Sequence, residues 1–413
     1  MPTFTAWFLA LLALVLLTQL WLGRRQIRHV RDHRRRVPAA FRRRLPLRAH
    51  QKAADYTVAL ARFARVDAVV SAALLLVWTL GGGLDLFDRV WRASGGDILV
   101  IGAAFLLSVF AVNSLVELPF EAWRAFVIER RFGFNRLSPG LFLADQAKQL
   151  LLLVLLGAPL AYAVLWIMQQ TGSFWWLYAW LLWSGFSLFL VWTYPTLIAP
   201  LFNKFRPLKA GRFRARIQEL LRRTGFRSRG IFVIDSSRRT AHGNAYFTGF
   251  GRNKRIVFFD NLLDSLRERE VIAVLAHELG HFKRGHITQR LVLMLGLSLA
   301  GFALLGWLTE QAWFYRGLGV SQPSAHAALV LFVLAGPVFT YFLQPLLAWR
   351  SRAHEYEADR FAAEQADPRD LINALVRLYR DNARTLTPDP LHSAFYDSHP
   401  PAAARIAHLA RFL

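Results

Sequence analysis

The stretch LLLLVLLGAPLAYAVLWIM, residues 150–168, holds nineteen side chains and not one charge. A helix on the surface of a soluble domain carries one apolar stripe, whereas this segment is apolar around its whole circumference. About 20 such residues, each rising about 1.5 Å, cross the hydrocarbon layer of a bilayer. Six further blocks read the same way, at 4–22, 66–87, 98–119, 174–200, 291–308 and 325–349. The expected fold is therefore an all-α integral membrane protein with about seven transmembrane helices. The competing reading, very hydrophobic helices inside a large soluble core, does not suit so many blocks of that length. A composition 54% hydrophobic, with 14 Trp and 33 Phe, agrees.

The charge is laid out to match. The net charge of +24 would suit a nucleic-acid binder, but its distribution points to a membrane surface and to no nucleic-acid partner. Between the first two blocks, residues 24–48 carry eleven arginines, and only Asp32 and Asp55 oppose them up to residue 65. The loops 123–148 and 202–290 are also basic, whereas 88–97, 169–173 and 309–324 are close to neutral. Positive loops stay in the cytoplasm. The alternation puts the N-terminus outside and the C-terminus in the cytoplasm, with an odd number of spans and lipid all around. The first block has its positive charges after the apolar run, with no small-x-small site near Gly23, so it reads as an uncleaved anchor. The preference for Arg over Lys hints at a bacterial inner membrane. Cysteine is absent, which excludes disulfides and thiolate metal sites.

The informative hydrophilic stretch is 202–290, which divides the chain into 1–201 (five spans), 202–290 (catalytic region), 291–350 (two spans) and 351–413 (C-terminal region). A basic amphipathic segment at 210–224 reads as a helix, and strand-like runs follow at 230–235, 245–250 and 255–260. Gly251-Arg252-Asn253 suits a hairpin turn between the last two. Ser265 followed three residues later by Glu268 has capping-box spacing, announcing a helix that runs into HELGH at residues 277–281.

Residues four apart share a helix face, so His277 and His281 can present imidazole nitrogens to one ion. Glu278 can take the proton of a water whose pKa the ion lowers towards about 7. HExxH is a fairly specific signal, set against histidines that merely line a polar helix face. A catalytic zinc needs a third protein ligand and an open position. His286 is too close in sequence to supply it without breaking the helix. After the last block, SRAHEYEAD at 351–359 offers Glu355 and Asp359 four apart, one to bind zinc and the other to accept the N–H of a ligating histidine. His354 competes for the ligand role, and Glu357 reads as a solvated carboxylate. Asn113 and Glu117 are costly in lipid and are expected to face a chamber or a partner helix.

These residues carry a resemblance. FVIE at 126–129 with FGFN at 132–135, PLFNKF at 200–205, NAYF at 244–247, KRIV at 254–257, HELGH, Glu355-Tyr356 with Ala358-Asp359, and SHPP at 398–401 occur in an order that resembles the Ste24-type CAAX prenyl proteases of the M48 zinc metallopeptidases. The likeness runs from about residue 120 to the end. It implies seven helices around a water-filled chamber, with a small α+β, gluzincin-like peptidase domain on the cytoplasmic side. It further implies one zinc per chain on His277, His281 and Glu355, with Glu278 as general base. Asp359 matches an acid behind the ligands that has been considered a proton donor. His399 and Arg405 match residues able to supply positive charge to an oxyanion. Asn244, Ala245 and Tyr246 match the edge strand along which the peptide substrate lies. In eukaryotes that substrate is a prenylated protein. Two rivals stand beside this expectation: a membrane quality-control protease with no prenyl requirement, and a transporter or scaffold in which zinc is structural.

Overall fold

The computed structural model describes residues 3–248 and 254–413. Helix α1, Thr3–His33, lies along α2, Leu47–Trp78. The block expected at 66–87 is not one straight span: α2 ends at Trp78, and α3, Gly83–Arg92, leaves at 49°. The break falls at Gly81-Gly82-Gly83, where Gly82 takes a left-handed φ of 76°. A side chain there would be strained, so three successive glycines permit a bend that an apolar pattern cannot announce.

Helix α4, Ile98–Trp123, starts at Asp97, whose carboxylate accepts from the backbone N–H groups of Leu99 and Val100. Its last turns widen into a π segment, Arg124–Glu129. Helix α5, Pro139–Gln170, and α6, Trp175–Thr193, follow, and a second π segment at Tyr194–Ile198 leads to the single turn α7, Ala199–Phe202. Six helices are long and apolar enough to cross a membrane, and seven spans result if the bent α2–α3 pair is one. The chain is a multi-pass membrane protein.

The hydrophilic region begins with a strand the pattern did not announce, β1, Phe205–Pro207. Helix α8, Arg212–Arg223, corresponds to the expected amphipathic segment. Three strands follow: β2, Gly230–Ile234, β3, Ala245–Thr248, and β4, Arg255–Phe259. The sheet order is β1-β2-β4-β3; β2 and β4 run parallel, while β3 pairs antiparallel with β4, Ala245 opposite Phe258. The turn expected at 251–253 lies outside the described residues. Among the described residues β3 is an edge strand.

A short helix, α9, Asp260–Ser265, precedes the motif helix α10, Glu268–Lys283. The capping box falls two residues later than Ser265 suggested. Ser265 closes α9, its hydroxyl bonding back to the Leu262 carbonyl, and Glu270 accepts from the Arg267 backbone N–H at 2.8 Å. The tight sequence offers two overlapping caps, and Leu266 in extended conformation between them decides for the second. Val271, Leu275 and Leu279 are buried at four-residue spacing and seat α10 on the sheet and on α8.

Helix α11, His286–Leu308, returns to the membrane, and α12, Ala312–Gly317, caps its far end. Helix α13, Ala325–Thr340, continues through a 3-10 turn into α14, Gln344–Gln365. Helices α15, Pro368–Asp381, α16, Pro390–Tyr396, and α17, Ala402–Leu409, complete the chain. One core joins α1, α4, α5 and α13 around Phe8, Phe105 and Leu331; a second joins the sheet to α10, α15 and α17 around Ile217, Phe258 and Leu275.

Candidate metal centre

The site forms where α10 lies against α14. Gly280, the glycine of HELGH, makes the approach possible: a Cβ there would stand 2.9 Å from the Ala358 Cα and 3.0 Å from the Ala358 carbonyl oxygen. Backbone rather than a movable side chain blocks it, so only glycine fits this contact. The closeness delivers Glu355 and Asp359 of α14, both buried, to the histidines of α10.

His277 Nε2 is 3.5 Å from Glu355 Oε2, and His281 Nε2 is 3.2 Å from Glu355 Oε1. The ligating atoms of these three residues lie within 4.8 Å of one another. Around a tetrahedral ion with bonds of about 2.0–2.1 Å, ligand atoms stand about 3.4 Å apart, so the spacing fits a metal between them. Glu355 Oε2 supplies a second test. It is buried and makes no hydrogen bond, although Arg405 Nη1 stands 3.2 Å away in ion-pair range. With the Arg405 charge nearby but no aligned donor, this buried oxygen keeps its lone pairs free for a metal ion. The donor set fits a divalent metal.

Asp359 is wholly buried and has both oxygens engaged. Its Oδ1 is 2.9 Å from His277 Nδ1, and the Arg405 guanidinium donates to both oxygens through Nε and Nη2. Arg405, brought in on α17, is itself buried and faces two carboxylates, Asp359 and Glu355. Its pKa is raised: burial alone would lower it, and Asp359 and Glu355 reverse the sign. Burial and the Arg405 charge also oppose protonation of His277, yet Asp359 and Glu355 outweigh them and raise it to about 9.

Glu278 lies half-buried one residue from the first histidine. Burial pushes its carboxyl above the usual range, with His277 and His281 opposing and Glu355 reinforcing. His399 stands at the open side, its Nε2 3.4 Å from Glu355 Oε1 and its Nδ1 2.9 Å from the Ser398 hydroxyl. Partial desolvation and the nearby Arg405 charge hold its pKa below the ordinary value, against the pull of Glu355, although the side chain keeps 47% of its surface exposed. This places His399 at the rim of the cluster, where the resemblance put a residue facing the oxyanion.

Asn244 is exposed at the head of β3, Ala245 is buried and Tyr246 half-buried. The segment leading into this edge strand is anchored from three sides. Asp145 of α5 takes a two-pronged bond from Arg239, Glu129 reaches His242 Nε2 at 3.4 Å while accepting from Tyr56 at 2.6 Å, and Asn382 exchanges two bonds with Gly243. Tyr56 and Glu129 belong to membrane helices, so the strand edge is fixed relative to the bundle.

The structure thus gathers His277, Glu278, His281, Glu355, Asp359, His399 and Arg405 into one cluster, with Asn244, Ala245 and Tyr246 on the sheet edge beside α10. His354 does not join the ligand group; it stacks on His286 at 4.0 Å. Glu357 is exposed, as a solvated carboxylate would be, and one of its oxygens also lies 3.1 Å from His286 Nε2. Asn113 bonds across to Trp78 Nε1 of α2, the partner-helix outcome, and Glu117 is exposed on α4.

Residues 26–204 match the family described as CAAX prenyl protease N-terminal, five membrane helices, and residues 207–412 match peptidase family M48. A CAAX prenyl protease 1 homolog of Arabidopsis thaliana is 36% identical over 76% of this chain and 77% of its own length. CAAX prenyl protease 1 of Saccharomyces cerevisiae is 31% identical over 87% of this chain and 85% of its own. The crystal structure of S. mikatae Ste24p superposes with a TM-score of 0.91 at 29% identity, covering 99% of both chains. With the motif helix, the α14 acids and the membrane helices arranged as described, the chain belongs to peptidase family M48, as a membrane metalloprotease of the CAAX prenyl protease group.

Proposed function

We propose that this chain is a zinc-dependent endopeptidase that cuts prenylated CAAX-type peptides near their C-terminus inside a chamber between its membrane helices. The carrying observation is the convergence of two imidazoles and one carboxylate at ligand spacing, with Asp359 behind His277. His277, His281 and Glu355 would hold a zinc ion, which when bound would supply Lewis acidity to the scissile carbonyl and to the attacking water. Glu278 takes that water's proton; its raised pKa suits it to hold the proton and return it to the departing amine. The peptide pairs in extended form along β3 at Asn244, Ala245 and Tyr246, which leaves its carbonyl facing α10. Arg405 keeps Asp359 ionised and so keeps His277 oriented, while His399 offers an N–H to the developing oxyanion from the open side. Asp359, sealed from solvent, acts through His277 and does not meet the substrate.

The domain limits at 1–201, 202–290, 291–350 and 351–413 follow the same reading, with the basic regions in the cytoplasm, the neutral loops outside, and lipid the only other partner. The arginine bias supports a bacterial inner membrane. The test is cleavage of a farnesylated CAAX peptide against its unmodified twin by the purified protein, with metal content measured alongside. Cleavage that prefers the farnesylated peptide and vanishes on chelation supports the proposal. Equal cleavage of both shifts it to a protease without prenyl requirement, and metal without cleavage of either removes the peptidase assignment.

A further inference from the structure

His277 has its backing carboxylate in direct contact, whereas among the described residues His281 has none. Its Nε2 faces Glu355, and its Nδ1 points away, to a second imidazole: His286 Nδ1 at 3.0 Å. His286 reaches that position because α10 stops at Lys283 and Gly285 takes a left-handed φ of 69°, so that α11 restarts in a new direction. His286 is 4% exposed. Its other nitrogen, Nε2, stands 3.1 Å from Glu357 Oε2, and its ring lies flat on His354 with an interplanar angle of 6°.

Hydrogen-bond direction is then determined. A neutral imidazole that ligates through Nε2 carries its hydrogen on Nδ1, and that N–H needs an acceptor. His286 Nδ1 can accept only when the His286 hydrogen sits on Nε2, which is the nitrogen that meets the Glu357 carboxylate. Two imidazoles and one carboxylate therefore agree on a single arrangement, each N–H pointing outward from the metal site. We propose that His286 and Glu357 form a relay that fixes the tautomer and ring orientation of His281, making them positioning residues of the metal centre. The inference rests on the ligand assignment above and extends it to a pair of residues on different helices. It also gives the two ligating histidines distinct supports, a buried carboxylate for His277 and a half-exposed one, through an intermediary, for His281.

The experiment measures zinc affinity of the purified full-length protein by chelator competition, with the unfolding temperature of each metal-free variant as a check on folding. His286→Phe keeps a ring to stack on His354 but offers no acceptor, and is expected to weaken zinc binding 10- to 100-fold, the usual effect of removing such a support. His286→Gln restores an acceptor oxygen and is expected to recover most of that loss. Glu357→Ala, at a position whose side chain is 53% exposed and so tolerates truncation, should weaken binding about tenfold while leaving the metal-free unfolding temperature unchanged. Wild-type affinity in His286→Phe or in Glu357→Ala overturns the relay. Equal losses in His286→Phe and His286→Gln also overturn it, because packing alone would then explain both. Failure of the wild-type protein itself to bind zinc is a different result, which removes the metal assignment beneath the relay.

Discussion

Glu278, Glu355 and Asp359 are three acids within one small volume, and their surroundings give them different work. Glu355 and Asp359 are buried against Arg405 and the histidines, while Glu278 keeps part of its surface open. Replacing Glu278 by Gln should leave metal content at the wild-type level and slow peptide hydrolysis by a factor on the order of 10² to 10⁴, the range for loss of a general base. Retained turnover would remove the residue from its assigned role. His277 sets a pH dependence. Its value in the metal-free protein, about 9, is above the ordinary 6.5, so below pH 9 metal binding must displace a proton. Apparent metal affinity should therefore climb throughout the range below pH 9 and then gain nothing more from this group. In the metal-free protein the same shift stabilises the fold fully below pH 6.5, and that contribution is lost as pH rises through 9. A chelator titration at pH 6, 7, 8 and 9, paired with melting curves of metal-free protein, checks both signs. The residues of these two helices were legible because i,i+4 spacing is local: HELGH and Glu355/Asp359 need only a helix to be read. Arg405 and His399 became legible only through resemblance, since no local periodicity links them to residue 277. The contacts of His286 and Glu357 were not legible, because they depend on the left-handed turn at Gly285.

At the scale of elements, the pairing of α10 with α14 decides whether a site exists. A methyl group at position 280 would press on the backbone of Ala358. Gly280→Ala should therefore cost about 1–3 kcal/mol in unfolding free energy and lower metal occupancy, since the helices separate and Glu355 withdraws. The contact is with backbone atoms, so Ala358→Gly should not rescue it. Rescue, seen as restored metal content, would mean the helices touch elsewhere. The long helices and three of the strands were visible in the pattern. Strand β1 was not: three residues, Phe205-Arg206-Pro207, are too few for alternation to register, and the strand exists because β2 offers a free edge. The bend between α2 and α3 escaped for a related reason. Hydropathy measures how apolar a segment is, whereas the direction of the chain there is set by glycines.

For the whole molecule, the distribution of arginine makes a prediction about sidedness. The chain contains no cysteine, so single cysteines can be introduced and labelled without a background to remove. A cysteine at the exposed Ser94, in the nearly neutral segment after α3, should react with a membrane-impermeant maleimide added outside intact cells. A cysteine at the exposed Arg36, in the basic segment between α1 and α2, should react only after lysis. The reverse pattern would invert the proposed orientation and place the metal centre on the other face. The basic end of α1 is tied to the C-terminal region that carries Arg405, since Arg25 of α1 pairs with Asp389 at the start of α16 and Gln26 accepts from the Asp389 backbone.

The two halves of the metal centre are separated along the chain by α11 and α13, and Arg405 comes later still. A ribosome that has released HELGH has made a protein with two imidazoles and no carboxylate to complete them. The last two membrane crossings must be inserted before α14 can lie against α10, and α17 must dock before Asp359 has its counter-charge. The metal centre is therefore complete only once α17 has docked, more than a hundred residues after the first ligand.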